Sequence, residues 1–458
     1  MRAPNPPESK MSPGAALLRR VLVLHHLLAA AVIGHAAAGP AVSPGPTGNP
    51  GKLTCKINPG TFLVATASPS VWISDSGDFA FGFRQMRGGF LLAIWFDKIP
   101  DKTIVWWAYQ GILVQENSRA GLTNDGTLVL VQDGHPSAVW SVGGGATCAS
   151  MGDDGNFILS GSGGVVWQSF DHPTDTLLPG QIMRSDTKLV SRFLETDFSL
   201  GRFQVVVQKD GNLVFYTTNY PQESVNFAYW STDTVGAEGV ELVFSQTGSL
   251  FFRSANAGIL RQLLNSSDVT GGKRLHQRAT LDYRGVLLQY VQGRGAAGGN
   301  WSAVGVVAED ICTRITAPTG AGVCGFNGYC VSRPTGVPGV SVPECRCPPG
   351  YVRLEDKDEL GGCRPNFAPP SCVGGRSAAA GEYAVERMNT TDWPVSDYEH
   401  YEGVEERWCE TQCLEDCLCA VAIFKTSGDC WKKKIPLSNG RFEAANERVA
   451  LIKVKKGG

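Results

Sequence analysis

The sequence predicts a mainly β chain of several domains, and three observations carry that prediction. A turn of the D-G-N type recurs between residues 55 and 300, each time just before a run of alternating apolar and polar residues. Gly is abundant, at 55 of 458 residues, as many short strands joined by tight turns require. Twelve of the fourteen Cys fall after residue 311, marking off a disulfide-rich C-terminal region.

From the N-terminus, Arg19 and Arg20 precede the apolar run Val21 to Gly34 and then Ala36, Ala37 and Ala38. That order reads as a secretory signal peptide over residues 1–38. His25 and His26 interrupt the run and the lead-in is long, so Met11 is an alternative start. The run is shorter than the roughly 20 apolar residues a membrane-spanning helix needs, and no later segment qualifies. The expected location is secreted, or the extracellular face of the plasma membrane. The formal net charge is −2, which gives no case for nucleic acid or an anionic membrane as partner. Sequons at Asn265, Asn300 and Asn389 suit the same compartment.

Residues 39–54 are Pro/Gly-rich and read as a flexible linker. The repeated turns follow at Ser76-Gly77-Asp78, Asp125-Gly126-Thr127, Asp154-Gly155-Asn156, Asp210-Gly211-Asn212 and Thr247-Gly248-Ser249, with Trp106, Trp140, Trp167 and Trp230 ending strands downstream. Self-similarity of this kind predicts internal repeats.

One copy stands out. Gln208, Asp210, Asn212, Val214 and Tyr216 are each two apart, so a strand through them would present all five on one face. The set suits a monosaccharide. Asp accepts hydrogen bonds from sugar hydroxyls, Asn and Gln donate and accept, Val meets the ring's apolar face and the Tyr hydroxyl caps it. The alternative is a D-G turn opening an ordinary strand. The five positions resemble the Q-x-D-x-N-x-V-x-Y motif of bulb-type mannose-binding lectins. That resemblance implies β-prisms of three subdomains with tryptophans along the axis, here two in tandem over 55–182 and 183–305. The copy at 152–160 keeps only Asp154 and Asn156, a weaker sugar-binding candidate. The copy at 123–131 reads Thr123, Asp125, Thr127, Val129 and Val131, and that at 245–253 keeps none of the five. With one full site, weak binding to mannose-type glycans is expected.

The run from Trp167 to Gly180 is similar to the W-x-S-F-D-x-P-T-D-T-L-L-P-G signature of plant G-type lectin S-receptor-like serine/threonine kinases. It is expected to form the connection after the first prism. His172 and the two Asp within it read as structural, since no nucleophile motif accompanies them.

Six Cys frame residues 309–364. Cys324 to Cys330 and Cys345 to Tyr351 resemble an EGF-like module, whose pairing implies Cys312–Cys330, Cys324–Cys345 and Cys347–Cys363. Sequence alone allows fifteen pairings. Val307-Ala308-Glu309-Asp310 lacks the acidic cluster of calcium-binding EGF modules, so no metal is expected. Cys345-Arg346-Cys347 and Cys417-Leu418-Cys419 do not have zinc spacing either.

In 372–454, Cys409 and Cys413 are four apart in a helical stretch and share one face. Together with Cys417, Cys419 and Cys430 they resemble the PAN/apple module of the same receptors. The resemblance implies Cys409–Cys430 and Cys413–Cys419, leaving Cys372 for Cys417 and Cys55 for Cys148. Residues 455–458 are a polar tail.

No catalytic residue or cofactor is expected. Gly293 to Gly298 fits G-x-G-x-x-G, but Gly299-Asn300-Trp301-Ser302 follows where a helix should begin. Val421 to Lys425 has one residue too many for V-A-I-K, and the chain contains no H-R-D or D-F-G. The leading expectation is the carbohydrate-binding ectodomain of a lectin receptor kinase, without its membrane helix or kinase. The rival is a receptor for a protein, peptide or glycosylated ligand, with degenerate lectin domains, that dimerises with itself or other ectodomains through its EGF-like and PAN modules. A secreted enzyme is a third class, for which the sequence offers no constellation.

Overall fold

The computed structural model describes residues 55–219, 224–265, 275–293, 300–316, 320–335, 337–372, 380–445 and 447–457. The signal-peptide and linker readings, and most of the Gly293–Gly298 run, lie outside them. The described chain is mainly β, with few and short helices.

Two three-sheet units come first. In one, Thr61–Val64, Arg119–Leu122, Thr127–Val131 and Ala138–Gly143 form a sheet. Val71–Ile73, Phe79–Met86, Gly89–Phe96 and Ile104–Trp107 form a second, and Cys148–Met151, Phe157–Gly161 and Gly164–Gln168 a third. In the other unit, Lys188–Leu194, Asp197–Val207, Leu213–Asn219 and Ser224–Ser231 form one sheet. The remaining two are led by Thr176–Leu177, paired with Leu275–Leu281, and by Ile182–Arg184, paired with Val240–Phe244. The second unit therefore begins at Thr176, within the 55–182 span expected for the first. A two-residue strand offers too little alternation to be seen in sequence. The Trp167–Gly180 run closes the first unit, turns at Ser169–Asp171 and opens the second.

Each sheet is built around one hairpin whose turn needs a left-handed glycine. Gly77, Gly126, Gly155, Gly211, Gly248 and Gly285 have φ between +73° and +93°. A Cβ on Gly211 would stand 2.2 Å from the Ala237 carbonyl oxygen, so the turn is closed to other residues by packing as well as by φ. The sixth turn, Arg284-Gly285-Val286, escaped the sequence reading because Arg stands where the other copies have Asp, Ser or Thr.

The cores differ. Trp106, Trp140 and Trp167 meet pairwise at 5.8–6.5 Å in the first unit, beside a stack of Trp72, Phe81 and Phe157. The second is filled by Phe203, Phe215, Phe244, Phe252 and aliphatic residues. The two units meet through Trp107 against Phe198 and through Trp301, which packs on Phe96 and donates to Thr103 Oγ1 at 2.6 Å.

The C-terminal region holds disulfides Cys312–Cys330, Cys324–Cys345, Cys347–Cys363, Cys372–Cys417, Cys409–Cys430 and Cys413–Cys419, and Cys55–Cys148 ties the first unit's start to its third sheet. A five-stranded sheet runs Tyr383–Asn389, Arg448–Lys455, Val421–Lys425, Asp429–Ser438 and Val395–Tyr401. The helix Glu406–Glu415 lies on it, with Cys409 and Cys413 buried on its inner face. A smaller sheet pairs Tyr329–Pro334 with Gly440–Phe442, so the six-Cys segment and the five-stranded region share strands.

Candidate functional site

The five motif residues do not sit on one strand. Asp197–Val207 ends before Gln208, and the next strand begins at Leu213. Gln208 to Asn212 form the connecting turn, closed by Gln208 N donating to Asn212 O at 2.8 Å and Gly211 N to Gln208 O at 3.3 Å. Only Val214 and Tyr216 lie on the strand. The expectation of a single strand face is corrected accordingly: the D-G pair that starts the motif also bends the chain.

The turn still gathers the polar ends of the motif. Gln208 Nε2 donates to the Tyr216 hydroxyl at 2.8 Å, joining its first and last residues. Asp210 is exposed, and one carboxylate oxygen accepts from Asn212 N at 3.1 Å. Asn212 is 7% exposed, and its Oδ1 accepts from Thr232 Oγ1 at 2.8 Å and from Thr234 N at 3.4 Å. Those bonds tie the turn to the segment that follows the strand Ser224–Ser231 and leave the amide NH2 as the group free of that duty. Val214 is 4% exposed and offers no apolar face of ring size, contrary to its expected role. Thr232 and Thr234 are site residues that the motif did not name. The parallel between Trp230-Ser231-Thr232 and Trp167-Gln168-Ser169 was the signal for Thr232.

The degraded copies consume their own polar groups. Asn156 gives its Nδ2 to Gln168 Oε1 at 2.9 Å, while its Oδ1 accepts from Ser169 Oγ and Phe170 N, both at 3.2 Å. That leaves exposed Asp154 as the open half of the weaker candidate pair. Asp125 accepts from the hydroxyls of both Thr123 and Thr127, the residues standing where the full motif has Gln and Asn. The Thr123 bond, first among these, holds the Asp125 carboxyl below its ordinary pKa. At 245–249 the hydroxyls of Ser245 and Thr247 pair at 3.0 Å.

The three sequon residues Asn265, Asn300 and Asn389 are exposed. A cluster of His400, Glu402 and Asp429 has three donor atoms within 4.8 Å of one another, but His400 lies flat on Trp431 and bonds Asp429 at 3.2 Å. Among the described residues no helix is long and apolar enough to cross a membrane.

Residues 103–197 match the family described as D-mannose binding lectin. The match spans the Asp125 and Asp154 turns and stops short of Gln208. Over 422 residues, 87% of this chain, the sequence is 39% identical to a G-type lectin S-receptor-like serine/threonine-protein kinase of Oryza sativa subsp. indica. A protein of that description from Arabidopsis thaliana is 35% identical over 429 residues. The chain spans about half the length of these relatives, 51% and 49% respectively. Among solved structures, a lectin from Colocasia esculenta covers 28% of this chain and 95% of its own at 20% identity and a TM-score of 0.20. The mannose-specific agglutinin of snowdrop bulbs, complexed with methyl-α-D-mannoside, covers 27% of this chain and 95% of its own at 22% identity and a TM-score of 0.20. Likenesses of that size carry no weight for fold or ligand.

Proposed function

We propose that this chain, a homologue of the G-type lectin S-receptor-like serine/threonine-protein kinases over 87% of its length, is an extracellular recognition region that binds a mannose-type glycan through the Gln208–Tyr216 turn. The observation that carries this reading is the contrast between the copies. Asp210 is exposed and the Asn212 amide NH2 is uncommitted, whereas the Asn156 amide and both Asp125 carboxylate oxygens are spent internally. A carboxylate and an amide flanking a phenol can meet adjacent sugar hydroxyls. The fully paired Cys suit an oxidising, extracellular location.

In this reading 55–168 and 176–307 are lectin units, 309–364 an EGF-like module and 372–454 a PAN/apple module. No catalysis is assigned to these residues. Affinity for one sugar is weak, because a few hydrogen bonds exchanged with water net about 1 kcal/mol each. Clustering of receptors or of sugars supplies the rest.

A second reading has its own support. Val214 is withdrawn and Asn212 Oδ1 is structural, as expected of a lectin unit retained for protein or peptide recognition. The C-terminal modules would then mediate dimerisation.

Titration with multivalent mannose separates the two. Hydrogen bonds to a charged group are worth about 1.5–3 kcal/mol. Asp210→Ala should therefore weaken binding about tenfold or more, while its cost in stability stays at about 1 kcal/mol for the lost turn bond to Asn212 N. Asp125→Ala should leave binding alone. Wild type that ignores mannose at millimolar concentration leaves the protein-recognition reading standing.

A further inference from the structure

A cavity of about 330 Å³ lies between the two lectin units, away from the Gln208–Tyr216 turn. Its size falls within the range of small-ligand sites. Three arginines line it. Arg192 donates through Nε to Asp175 at 2.8 Å, and the Asp175 side chain is fully buried. Arg278 donates through Nη1 to Thr280 Oγ1 at 2.6 Å. Thr280 meets Thr176 Oγ1 at 2.9 Å, and Thr176 donates to the second oxygen of Asp175 at 2.7 Å. One buried carboxylate thus orients two guanidinium groups through a continuous chain of bonds. The Arg278 guanidinium also lies over the rings of Tyr290, at 3.9 Å, and Trp301, at 4.8 Å. Its plane is held by packing before any ligand arrives.

Carboxylates act on the other two arginines only at longer range, Asp97 and Asp101 on Arg84, and Asp175 and Asp101 on Arg278. No salt bridge engages Arg84 or Arg278 among the described residues, and the buried Nε of each has no hydrogen-bond partner. Burial lowers the pKa of both, that of Arg278 to about 10. An unpaired cation held in a cavity is costly unless something completes it. The other charges on the wall are mostly engaged. Lys102 bonds Asp97, and Asp282 bonds Arg284. Asp101, which accepts from the Thr103 hydroxyl, and exposed Glu195 remain as acceptors at the wall.

The geometry points to a second saccharide site, specific for an acidic sugar, in which Arg84 and Arg278 hold the carboxylate of a uronic acid unit. Guanidinium groups match a carboxylate bidentately. The ring hydroxyls donate to Asp101 and Glu195. The acidic residues of the wall, a liability for a bare anion, become hydroxyl acceptors for a hydroxylated one. This site is independent of the Gln208–Tyr216 reading.

The test titrates the intact chain with D-galacturonate, D-galactose and acetate, read by saturation-transfer NMR and calorimetry. Galacturonate should bind at millimolar concentration or better, at least about tenfold more tightly than either control, and should weaken as salt rises. Arg84→Gln and Arg278→Gln should each cost about tenfold or more. Asp210→Ala should leave galacturonate binding unchanged, which separates this site from the mannose site. If Arg278→Gln fails to fold, Arg84→Gln and the salt series still decide. Equal binding of galactose, equal binding of acetate, indifference to Arg84→Gln, or no galacturonate binding overturns the proposal.

Discussion

Asn327 and Leu437 are joined twice: Asn327 N donates to Leu437 O at 2.8 Å, and Leu437 N donates to Asn327 Oδ1 at 2.8 Å. The same side chain gives Nδ2 to Cys363 O at 2.9 Å. One residue of the six-Cys segment therefore reaches a strand of the five-stranded sheet and a neighbouring disulfide half-cystine together. It does so in the left-handed conformation, φ +62°, which Asn tolerates better than most residues. Beside it, fully buried Trp393 donates its indole N–H to Gly328 O at 3.0 Å. The two small regions are packed as one body.

Asn327→Ala should accordingly be among the costly substitutions in the C-terminal half. It strands a buried N–H and a buried carbonyl, each costing about 1–3 kcal/mol, and strains the backbone. Asn327→Asp keeps the acceptor for Leu437 but sets a buried carboxylate against the Cys363 carbonyl, so at neutral pH it should cost at least as much as Ala. Denaturant melts of the three proteins check the order. A loss under about 0.5 kcal/mol for Ala would mean the two regions do not depend on this joint.

The turn glycine offers a second test. Gly211→Ala places a Cβ 2.2 Å from Ala237 O at φ +93°. Both strain and clash act, so a loss of roughly 2–4 kcal/mol is expected, with sugar binding lost as well. Asp210→Ala, by contrast, removes only the turn bond to Asn212 N and should cost much less stability. Measuring melting and binding on both variants distinguishes a turn that merely bends the chain from one that also holds a ligand.

What the sequence made legible follows from which residues have one job. The mainly β character came through because alternation and left-handed glycines serve the same hairpin. The site came through only in part, because its residues have two jobs. Asn212 reads as a sugar ligand, yet its Oδ1 holds Thr232. Val214 alternates correctly, yet it is buried. A spacing of two puts residues on one face only along a strand, and the five positions straddle a turn, where that period does not apply. The arginine cavity was invisible for a different reason: Arg84, Arg192 and Arg278 are far apart in sequence and meet only once two units pack.

Disulfides should carry much of the stability of the C-terminal region. The Cys409–Cys430 bridge joins the helix Glu406–Glu415 to the sheet and closes a separation of 21 residues. Chain entropy puts its contribution at about 3 kcal/mol. Replacing both Cys with Ala should lower the melting temperature of this region. Mass spectrometry of unreduced protein should find no free thiol. Several free thiols in secreted protein would contradict the structure.

The last prediction concerns pH. The His172 imidazole lies flat on Trp167, with ring centres 5.4 Å apart and planes within 6°, while its backbone carbonyl accepts the Trp106 indole N–H at 2.7 Å. The ring's outer side is exposed, so the shift is modest: desolvation of the face on Trp167 pushes its pKa below the ordinary 6.5, and Asp171 opposes this in part. The folded form therefore takes up the proton at a lower pH than the unfolded form. Above 6.5 both are neutral and the full stability is present; as pH falls below 6.5 the unfolded state binds the proton first and stability declines until the folded pKa is passed. Carboxylates elsewhere add their own acid sensitivity, so the comparison must be with His172→Gln, which keeps the backbone acceptor and removes the titration. Wild type should lose more stability than the variant between about pH 7 and pH 5, and its tryptophan fluorescence should fall over the same interval as the imidazolium forms against Trp167. Parallel curves for the two proteins would show that the ring titrates freely in solvent, and that the stack on Trp167 does not set its charge.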